Sequence, residues 1–459
     1  MQKRYFLLFI LVIGLFGCVS YQVKPLNTQP TLLHKVPHLI IDTKRLPLPE
    51  LAAHPFNPDD GMDMTEVTIL AVVNNPALKI ARDEKGIAEA QLMTAGILPN
   101  PQITAGIDHP TNGGPGSMDA FNFGLSYDIN KLITRNAAID AARANKLRID
   151  LTVLWQEWQV VQQARLLFVK SLEQDKLMHL LQAYRAIAAS LYQHAQQALQ
   201  DGNLTMDTMS AYMAALQNIN SRINNLQRQI SKTRHDLNAL LGLSPEVNLK
   251  LVGDANLPGL DQEKIKTYIA GLPQRRPDLL ALQAGYASQE QRFRQAILAQ
   301  FPALNIGLTR ARDTSGIYTS GFGITLNLPI FNRNQGNIAI EKATRKRLYD
   351  EYQARLNAAY GQINSLMTQL KLVTRQYDGI KSTLPEMEAA VKHAKEALDA
   401  GNIDATTYTN LYAALLDKRM EAITLEQTIL EERVALQTLI GSELPMQVTT
   451  AEIKLTGGD

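Results

Sequence analysis

The residues whose chemistry could bind a metal ion gather near two Gly-Asn pairs of the chain. His194 and His393 each lie eight residues before such a pair, and in an assembly of copies they would form a ring that titrates near neutral pH or contacts a metal. Met206, Met209 and Met213 follow at helical spacing, and thioethers bind the soft ions Cu(I) and Ag(I). The alternatives, which we favour, are histidines on a helix surface and methionines that fill gaps between helices. We therefore predict neither a metal site nor a cofactor.

Patterns typical of enzymes do not occur in this sequence. It contains no Gly-x-x-x-x-Gly-Lys-Ser/Thr phosphate loop and no Gly-x-Ser-x-Gly nucleophile turn. Lys and Arg number 46 against 44 Asp and Glu, a formal net charge of +2 that argues against a nucleic-acid binder. A hydrophobic content of 45% with 20% charged residues is typical of a folded chain rather than a disordered one. We predict a folded protein that is not an enzyme.

The N-terminus has the pattern of a lipoprotein targeting segment. Two basic residues precede an apolar stretch, residues 5–15, that is too short to span a bilayer. We predict a signal peptide at 1–17, whose removal leaves Cys18, the only cysteine, as an acylated, palmitate-bearing N-terminus. The alternative is a plain secretory signal with an incidental cysteine. The next residue is Val19 rather than Asp, which favours delivery to the outer membrane of a Gram-negative bacterium.

Most of the chain is one unit that occurs twice. Matched residues keep their register at offsets of 199 to 201 positions: Pro76 with Pro277, Leu78 with Leu279, Pro101 with Pro302, Gly202 with Gly401, and Gly242 with Gly441. The predicted organisation is a lipoprotein signal peptide (1–17), a lipid-anchored extended arm (18–60), a first repeat (61–250), a linker (251–276), a second repeat (277–445) and a C-terminal tail (446–459).

Each repeat is predicted to run as short helix, β-hairpin, long helix, sharp turn and medium helix. The predicted helices cover about 66–97, 134–200 and 204–240 in the first repeat, and about 277–299, 337–400 and 403–440 in the second. No Gly or Pro occurs between Gly124 and Gly202, so a single helix about 100 Å long is expected there. The two shorter helices together nearly match the long one, which predicts a rod in which they stack end to end along it.

Four segments alternate between apolar and small polar residues, as strands do when one face meets lipid and the other meets water. Their apolar positions are Ile103, Ala105 and Ile107; Phe121, Phe123, Leu125 and Tyr127; Leu304, Ile306 and Leu308; and Phe322, Ile324, Leu326 and Leu328. The alternative is the edge of a soluble β-sandwich. Since open strand edges are not tolerated in lipid, closure requires further copies of the chain, and three copies would supply twelve strands.

These features resemble those of TolC-type outer-membrane efflux channels across about residues 60–445. The resemblance is carried by the duplicated unit, the repeat openings Asn75-Pro76-Ala77-Leu78 and Arg276-Pro277-Asp278-Leu279, the strand entries Pro101 and Pro302, and the turns at Gly202 and Gly401. It implies a mainly α fold with a membrane β-barrel portion, in which three chains form a 12-strand β-barrel that continues into a long periplasmic α-barrel. The lipid-anchored branch that serves tripartite pumps is the most similar, and its cobalt–zinc–cadmium subgroup is one interpretation.

The same resemblance implies a homotrimer that passively conducts metal ions or small toxic compounds out of the cell. Its partners would be a periplasmic adaptor (membrane fusion protein), an inner-membrane pump of the RND type and outer-membrane lipid. One alternative is the outer-membrane duct of a type I protein-secretion system. Another is a non-conducting, lipid-anchored periplasmic scaffold, which would show no pore conductance.

The resemblance also implies a site at the far end of the helical rods, where the adaptor would dock. The docking residues it implies are Gly202, Asn203, Leu204, Gly401, Asn402 and Ile403. The family often closes this tip with acidic residues six and nine positions after the second glycine, but this chain has Thr407 and Asn410 there, so the acidic constriction does not carry over. Candidates for lining the pore near the tip, or for solvated helix surface, are Asp207, Thr208, Asp404, Thr407 and Asn410.

Overall fold

The computed structural model describes residues 20–39, 51, 54–255, 257 and 261–442. The predicted signal peptide, the acylated Cys18 and the tail at 446–459 lie outside the described residues, so those expectations stay predictions. Within the arm, Leu33 donates its backbone N–H to the Gly242 carbonyl at 3.2 Å and accepts from the Ser244 N–H at 2.8 Å. The arm therefore lies against the end of the first repeat.

Helices and strands follow the same order in the two repeats. The first repeat runs through α1 (Met64–Asn74), α2 (Pro76–Gly96), β1 (Gln102–Asp108), β2 (Ala120–Asp128), α3 (Asn130–Gln200) and α4 (Met206–Leu240). The linker forms α5 (Gln262–Ala270) and α6 (Leu272–Arg275). The second repeat runs through α7 (Pro277–Leu298), β3 (Ala303–Arg312), β4 (Tyr318–Asn327), α8 (Gln335–Asp399) and α9 (Ala405–Ile440).

The prediction of one continuous helix over 66–97 is wrong, because the chain changes direction at Asn75. This residue has φ −54° and ψ 125°, so it separates α1 from α2. Pro76 begins α2, and the ring of a proline disfavours the helical conformation of the residue before it. The Asn75 side chain accepts a hydrogen bond from the Leu78 N–H at 3.0 Å and thereby caps the new helix.

The shorter helices pack along the two long helices. Helix α3 has 71 residues, which is about 105 Å, and α8 has 65 residues. Helix α3 contacts α2 and α4 of its own repeat and α7 and α9 of the second, while α8 contacts α7 and α9. The predicted arrangement of two shorter helices along each long one is therefore present. Pro385 lies inside α8 without ending it.

The strands form one antiparallel sheet in the order β1-β2-β3-β4, so the two hairpins are joined through β2 and β3. Hydrophobic clusters between the helices hold the rods together, and the largest fully buried side chains include Trp158 and Phe168 of α3. No helix in the described ranges combines the length and the apolar character that a bilayer crossing demands.

Candidate functional site: the helical tip and the two-faced sheet

The two predicted turns at the tip have the same backbone geometry. Gly202 and Gly401 each have φ +74°, a left-handed conformation that glycine adopts without steric cost. The Asn203 N–H donates to the Ala198 carbonyl at 2.8 Å, and the Asn402 N–H donates to the Ala397 carbonyl at 2.8 Å. These bonds are those of a Schellman motif, which ends a helix and satisfies its last carbonyl groups. The sequence prediction of two equivalent Gly-Asn turns is confirmed in geometry.

The hydrophobic residues after these turns are half-buried rather than displayed. Leu204 packs against the buried cluster of Ala195, Tyr212 and Ala405, so it joins the first tip turn to the second repeat. Ile403 packs on the cluster that contains Tyr408. In the turns themselves, the glycines and asparagines are exposed. A partner that docks here would therefore meet the turn backbone and the two asparagine side chains first.

The helices that leave the tip begin with a capping side chain in each repeat. Thr205 caps α4 by accepting from the Thr208 N–H at 3.3 Å, and Asp404 caps α9 by accepting from the Thr407 N–H at 2.6 Å. The hydrogen bond from the Thr407 backbone lowers the pKa of the Asp404 carboxyl group. Asp404, a candidate for lining the pore, is thus engaged in ending the turn, while Asp207 is exposed in the first turn of α4.

A groove lies between α4 and α9 a few turns from the tip. Its volume is about 420 Å³, and alanines of both helices form much of its wall. Asn410 lines it, and so do Arg222 of α4 and Asp417 of α9, which pair at 2.5 Å between Nη1 and Oδ1. This ion pair joins the two repeats, and the sequence analysis did not find it, because the register between α4 and α9 is not visible in either helix alone.

The two histidines near the tip do not belong to a metal site in the part of the chain that the structure describes. His194 and His393 are exposed, and the Nδ1 atom of His393 lies 3.3 Å from the Glu396 carboxylate. Among the residues that the structure describes, no group of three or more His, Cys, Asp or Glu side chains could hold a metal ion. Met206 and Met213 are 64% and 43% exposed in the single chain, so they do not fill gaps between its own helices.

The methionines are exposed because the buried stripe of α4 lies elsewhere on the helix. Tyr212, Ile219 and Leu226 are buried at intervals of seven residues. Met213 follows Tyr212 by one position and Met206 lies seven positions earlier, so both are turned about 100° from that stripe. Met209 is half-buried.

The sheet has one apolar and one small polar face, as the alternation predicts. On the apolar face the register places one residue of each strand in a single row, and the row is Ile103, Leu125, Leu308 and Phe322. Ile103, Leu308 and Phe322 are between 59% and 66% exposed. Exposed rows of large apolar residues on a sheet need a non-aqueous neighbour.

The opposite face is lined by glycine and small polar residues in the matching row. Thr104, Gly124, Thr309 and Gly321 lie side by side across the strands. A Cβ atom at Gly124 would meet the Thr104 Oγ1 atom at 2.5 Å, so the threonine side chain occupies the space that this glycine leaves. Such a face suits contact with water inside a channel.

The second half of the molecule matches a known protein family. Residues 270–442 match the family described as outer membrane efflux protein. This half of the chain thus resembles the TolC-type outer-membrane efflux channels. The resemblance inferred from the sequence, the fold class and the outer-membrane location are thereby confirmed, and the family is one of transport channels rather than of enzymes.

Individual relatives agree with this match. The cobalt-zinc-cadmium resistance protein CzcC of Cupriavidus metallidurans is 24% identical over 361 residues, which cover 76% of this chain and 83% of CzcC. The Campylobacter jejuni CmeC outer membrane channel has a TM-score of 0.73 at 16% identity, covering 95% of this chain and 98% of that one. The Vibrio cholerae outer membrane protein VceC has a TM-score of 0.70 at 15% identity, covering 82% and 96%. At such identities the solved structures establish the shared fold.

Proposed function

We propose that three copies of this chain form the exit channel of a tripartite efflux system in the outer membrane. The observation that carries the proposal is the row of exposed apolar residues on one face of the sheet, opposite a row of glycine and threonine on the other. Lipid outside and water inside satisfy both faces at once. The helical rods then extend the water-filled path into the periplasm.

The strand edges support a closed assembly rather than a single chain. In the part of the chain that the structure describes, β1 and β4 each pair on one side only. Unpaired backbone groups are not tolerated in lipid, so β4 of one copy must pair with β1 of the next. Three copies close a ring of twelve strands, which is within the size range of membrane barrels.

For cargo we propose divalent metal ions passed on by an inner-membrane pump of the RND type. The support is the likeness to CzcC, whose name refers to cobalt, zinc and cadmium resistance. The passage itself needs no metal ligand, because a wide duct lined by small polar side chains need not bind what it conducts. Selective sensitivity of a deletion strain to these three metal salts, rescued by the intact gene, is the expected result. Sensitivity to hydrophobic drugs alone would contradict the metal cargo.

Conductance tests the channel separately from its cargo. The purified protein, reconstituted into a planar bilayer, should give discrete conductance steps, and its mass in detergent should correspond to three chains. A lipid-anchored scaffold would give no steps, and a lack of conductance from verified trimers would overturn the channel. A secretion duct would conduct in the same assay but would leave the deletion strain resistant to metals.

We further propose that the turns at Gly202 and Gly401 dock a periplasmic adaptor. Because Leu204 and Ile403 are half-buried, a charge there would disturb packing as well as docking. Asn203 and Asn402 are exposed, so the double variant Asn203→Lys/Asn402→Lys is the sharper test. It should abolish resistance while conductance stays normal. As a control, the exposed Asn364 lies on α8 at a distance from the turns, and Asn364→Lys should keep resistance.

Anchoring at Cys18 is a separate proposal, supported by the targeting pattern of the first eighteen residues. The mature protein should carry acyl chains at this cysteine, which intact-mass measurement detects. The Cys18→Ser variant should lose that mass, and an unmodified wild-type N-terminus would contradict the anchor.

A further inference from the structure

Two arginines lie on the apolar face of the sheet, next to the hairpin loops. Arg310 and Arg312 follow Leu308 at intervals of two, so strand alternation puts all three side chains on the same face. The apolar positions predicted from the sequence for this strand end at Leu308, so the two arginines were not considered. Charge on a lipid-facing strand is strongly destabilising at the bilayer midplane and is tolerated near the membrane surface. Their position therefore indicates a place at the membrane surface.

The loop contacts show which surface this is. The Met118 N–H of the first hairpin loop donates to the Thr314 carbonyl of the second at 3.1 Å, so both loops lie at one end of the sheet. The long helices α3 and α8 follow β2 and β4 at the opposite end. Since the rods extend into the periplasm, the arginines lie at the outer leaflet. Strand β3 has a neighbour on each side, so assembly through the sheet edges leaves this patch uncovered.

Aromatic rings hold the Arg312 guanidinium in place. Its central carbon lies 5.2 Å from the centre of the Phe121 ring and 6.0 Å from that of Tyr318, and these two rings are 6.0 Å apart. Its Nη2 atom donates to the Asp119 carbonyl at 2.7 Å. The central guanidinium carbon of Arg310 lies 5.9 Å from the centre of the same Tyr318 ring. The two cations thus share one tyrosine, in the manner of residues at a membrane interface.

The charge of Arg310 is not compensated by its neighbours. Over the described residues its guanidinium group has no hydrogen bond and no ion pair. The Asp119 carboxylate is engaged by His109 at 2.6 Å, and the Asp313 carboxylate accepts the backbone N–H groups of its own loop. The patch is therefore cationic, aromatic and open on the side that meets lipid headgroups.

We propose that Arg310 and Arg312 bind the phosphate group of an outer-leaflet lipid. A guanidinium fork matches the geometry of phosphate oxygens, and two forks beside Tyr318 can hold one phosphate group while the ring packs against the lipid. The site is an interaction surface for membrane lipid and does not depend on which cargo the channel conducts.

Native mass spectrometry of the full chain in neutral detergent, titrated with diphosphorylated lipid A, tests this proposal. Arg310→Gln should weaken lipid A binding about tenfold, as expected for the loss of a hydrogen bond to a charged group. Arg310→Gln/Arg312→Gln should weaken it further. The matched control is Lys381→Gln, because Lys381 is an exposed cation 5.7 Å from the Tyr377 ring on α8 and belongs to the helical rod.

Arg312 also bonds to the loop backbone, so the double variant could lose its fold; the single Arg310 variant keeps the test valid. Unchanged binding by Arg310→Gln, or an equal loss in Lys381→Gln, would overturn the proposal. Inorganic phosphate distinguishes the source of the phosphate group: it should displace lipid A poorly. Equal affinity for inorganic phosphate and lipid A would overturn the assignment to lipid.

Discussion

Arg222 and Asp417 join the two repeats across the groove near the tip, with 2.5 Å between their charged atoms. Their side chains are 32% and 55% exposed, so water screens much of the attraction. A double-mutant cycle with Arg222→Ala and Asp417→Ala, followed by denaturation of the detergent-solubilised protein, should give a coupling free energy of at most about 1 kcal/mol. A much larger value would mean that the groove is drier than its exposure indicates.

Breaking the ion pair of Arg276 and Asp278 should cost much more stability than breaking the Arg222–Asp417 pair, because it is buried. The side chains are 3% and 7% exposed and their atoms are 2.7 Å apart. Asp278→Asn leaves the Arg276 charge buried without its partner carboxylate, which costs about 3–5 kcal/mol. The midpoint of chemical denaturation should fall well below that of Asp417→Ala. A smaller loss than in that exposed variant would contradict this account.

Replacing a tip glycine with alanine should destabilise the protein, and only because of the backbone conformation at that position. Gly202 and Gly401 have φ +74°, and the space that a Cβ atom would take at either position is open. Gly202→Ala should therefore cost about 1 kcal/mol, since an L-residue is disfavoured in the left-handed region. Gly361 inside α8 also has open space but helical backbone, so Gly361→Ala should stabilise by about 0.5–1 kcal/mol. Thermal denaturation should show shifts of opposite sign.

In the sheet, the pairing of Gly124 with Thr104 predicts a suppressor. Gly124→Ala puts a Cβ atom 2.5 Å from the Thr104 Oγ1 atom, so strand pairing should weaken and fewer heat-resistant assemblies should form on gels. Thr104→Ala removes that oxygen and should restore assembly in the double variant. Gly323→Ala is the control, since nothing lies within 4 Å of the added atom. Failure of the suppressor would show that the glycine serves another purpose.

Replacing Glu432 on α9 with an uncharged residue should stabilise the protein by an amount that depends on pH. Burial raises the pKa of this carboxyl group, and its Oε2 atom has no hydrogen-bond partner in the described part of the chain. The folded state then binds the proton more tightly than the unfolded state, so stability decreases as the pH rises through the folded pKa. Glu432→Gln removes this effect, and its gain over wild type should be larger at pH 8 than at pH 4. An equal gain at both values would exclude the ionisation as its cause.

The features predicted correctly from the sequence are those that occur in both repeats. The glycine turns, the long helices and the two-faced strands each leave a local signature, and the second copy confirms the first. The break at Asn75 was missed although Pro76 disfavours the helical conformation of the residue before it. The role of the residue before each repeat proline was missed as well: Asn75 donates to the Leu240 carbonyl at 2.8 Å, and Arg276 donates to the Leu439 carbonyl at 3.4 Å.

These equivalent contacts join the end of the last helix of each repeat to the residue before the repeat proline. The joined residues are more than 160 positions apart along the chain. Such contacts depend on how helices are placed against each other, which no single stretch of sequence records. The same reason explains why the Arg222–Asp417 pair was not found.

The only two tryptophans of the chain lie at one place, where α3 meets the base of the second repeat. Trp158 is fully buried and donates its Nε1–H to the Thr438 carbonyl at 3.1 Å, while the Trp155 ring lies 4.9 Å from the Arg276 guanidinium carbon. Trp158 also packs against Ile69 and Val72 of α1, so intrinsic tryptophan fluorescence reports on this junction together with the seating of α1 on it. A change in emission would mean that this end of the molecule has rearranged, whereas opening confined to the tip would leave the spectrum unchanged.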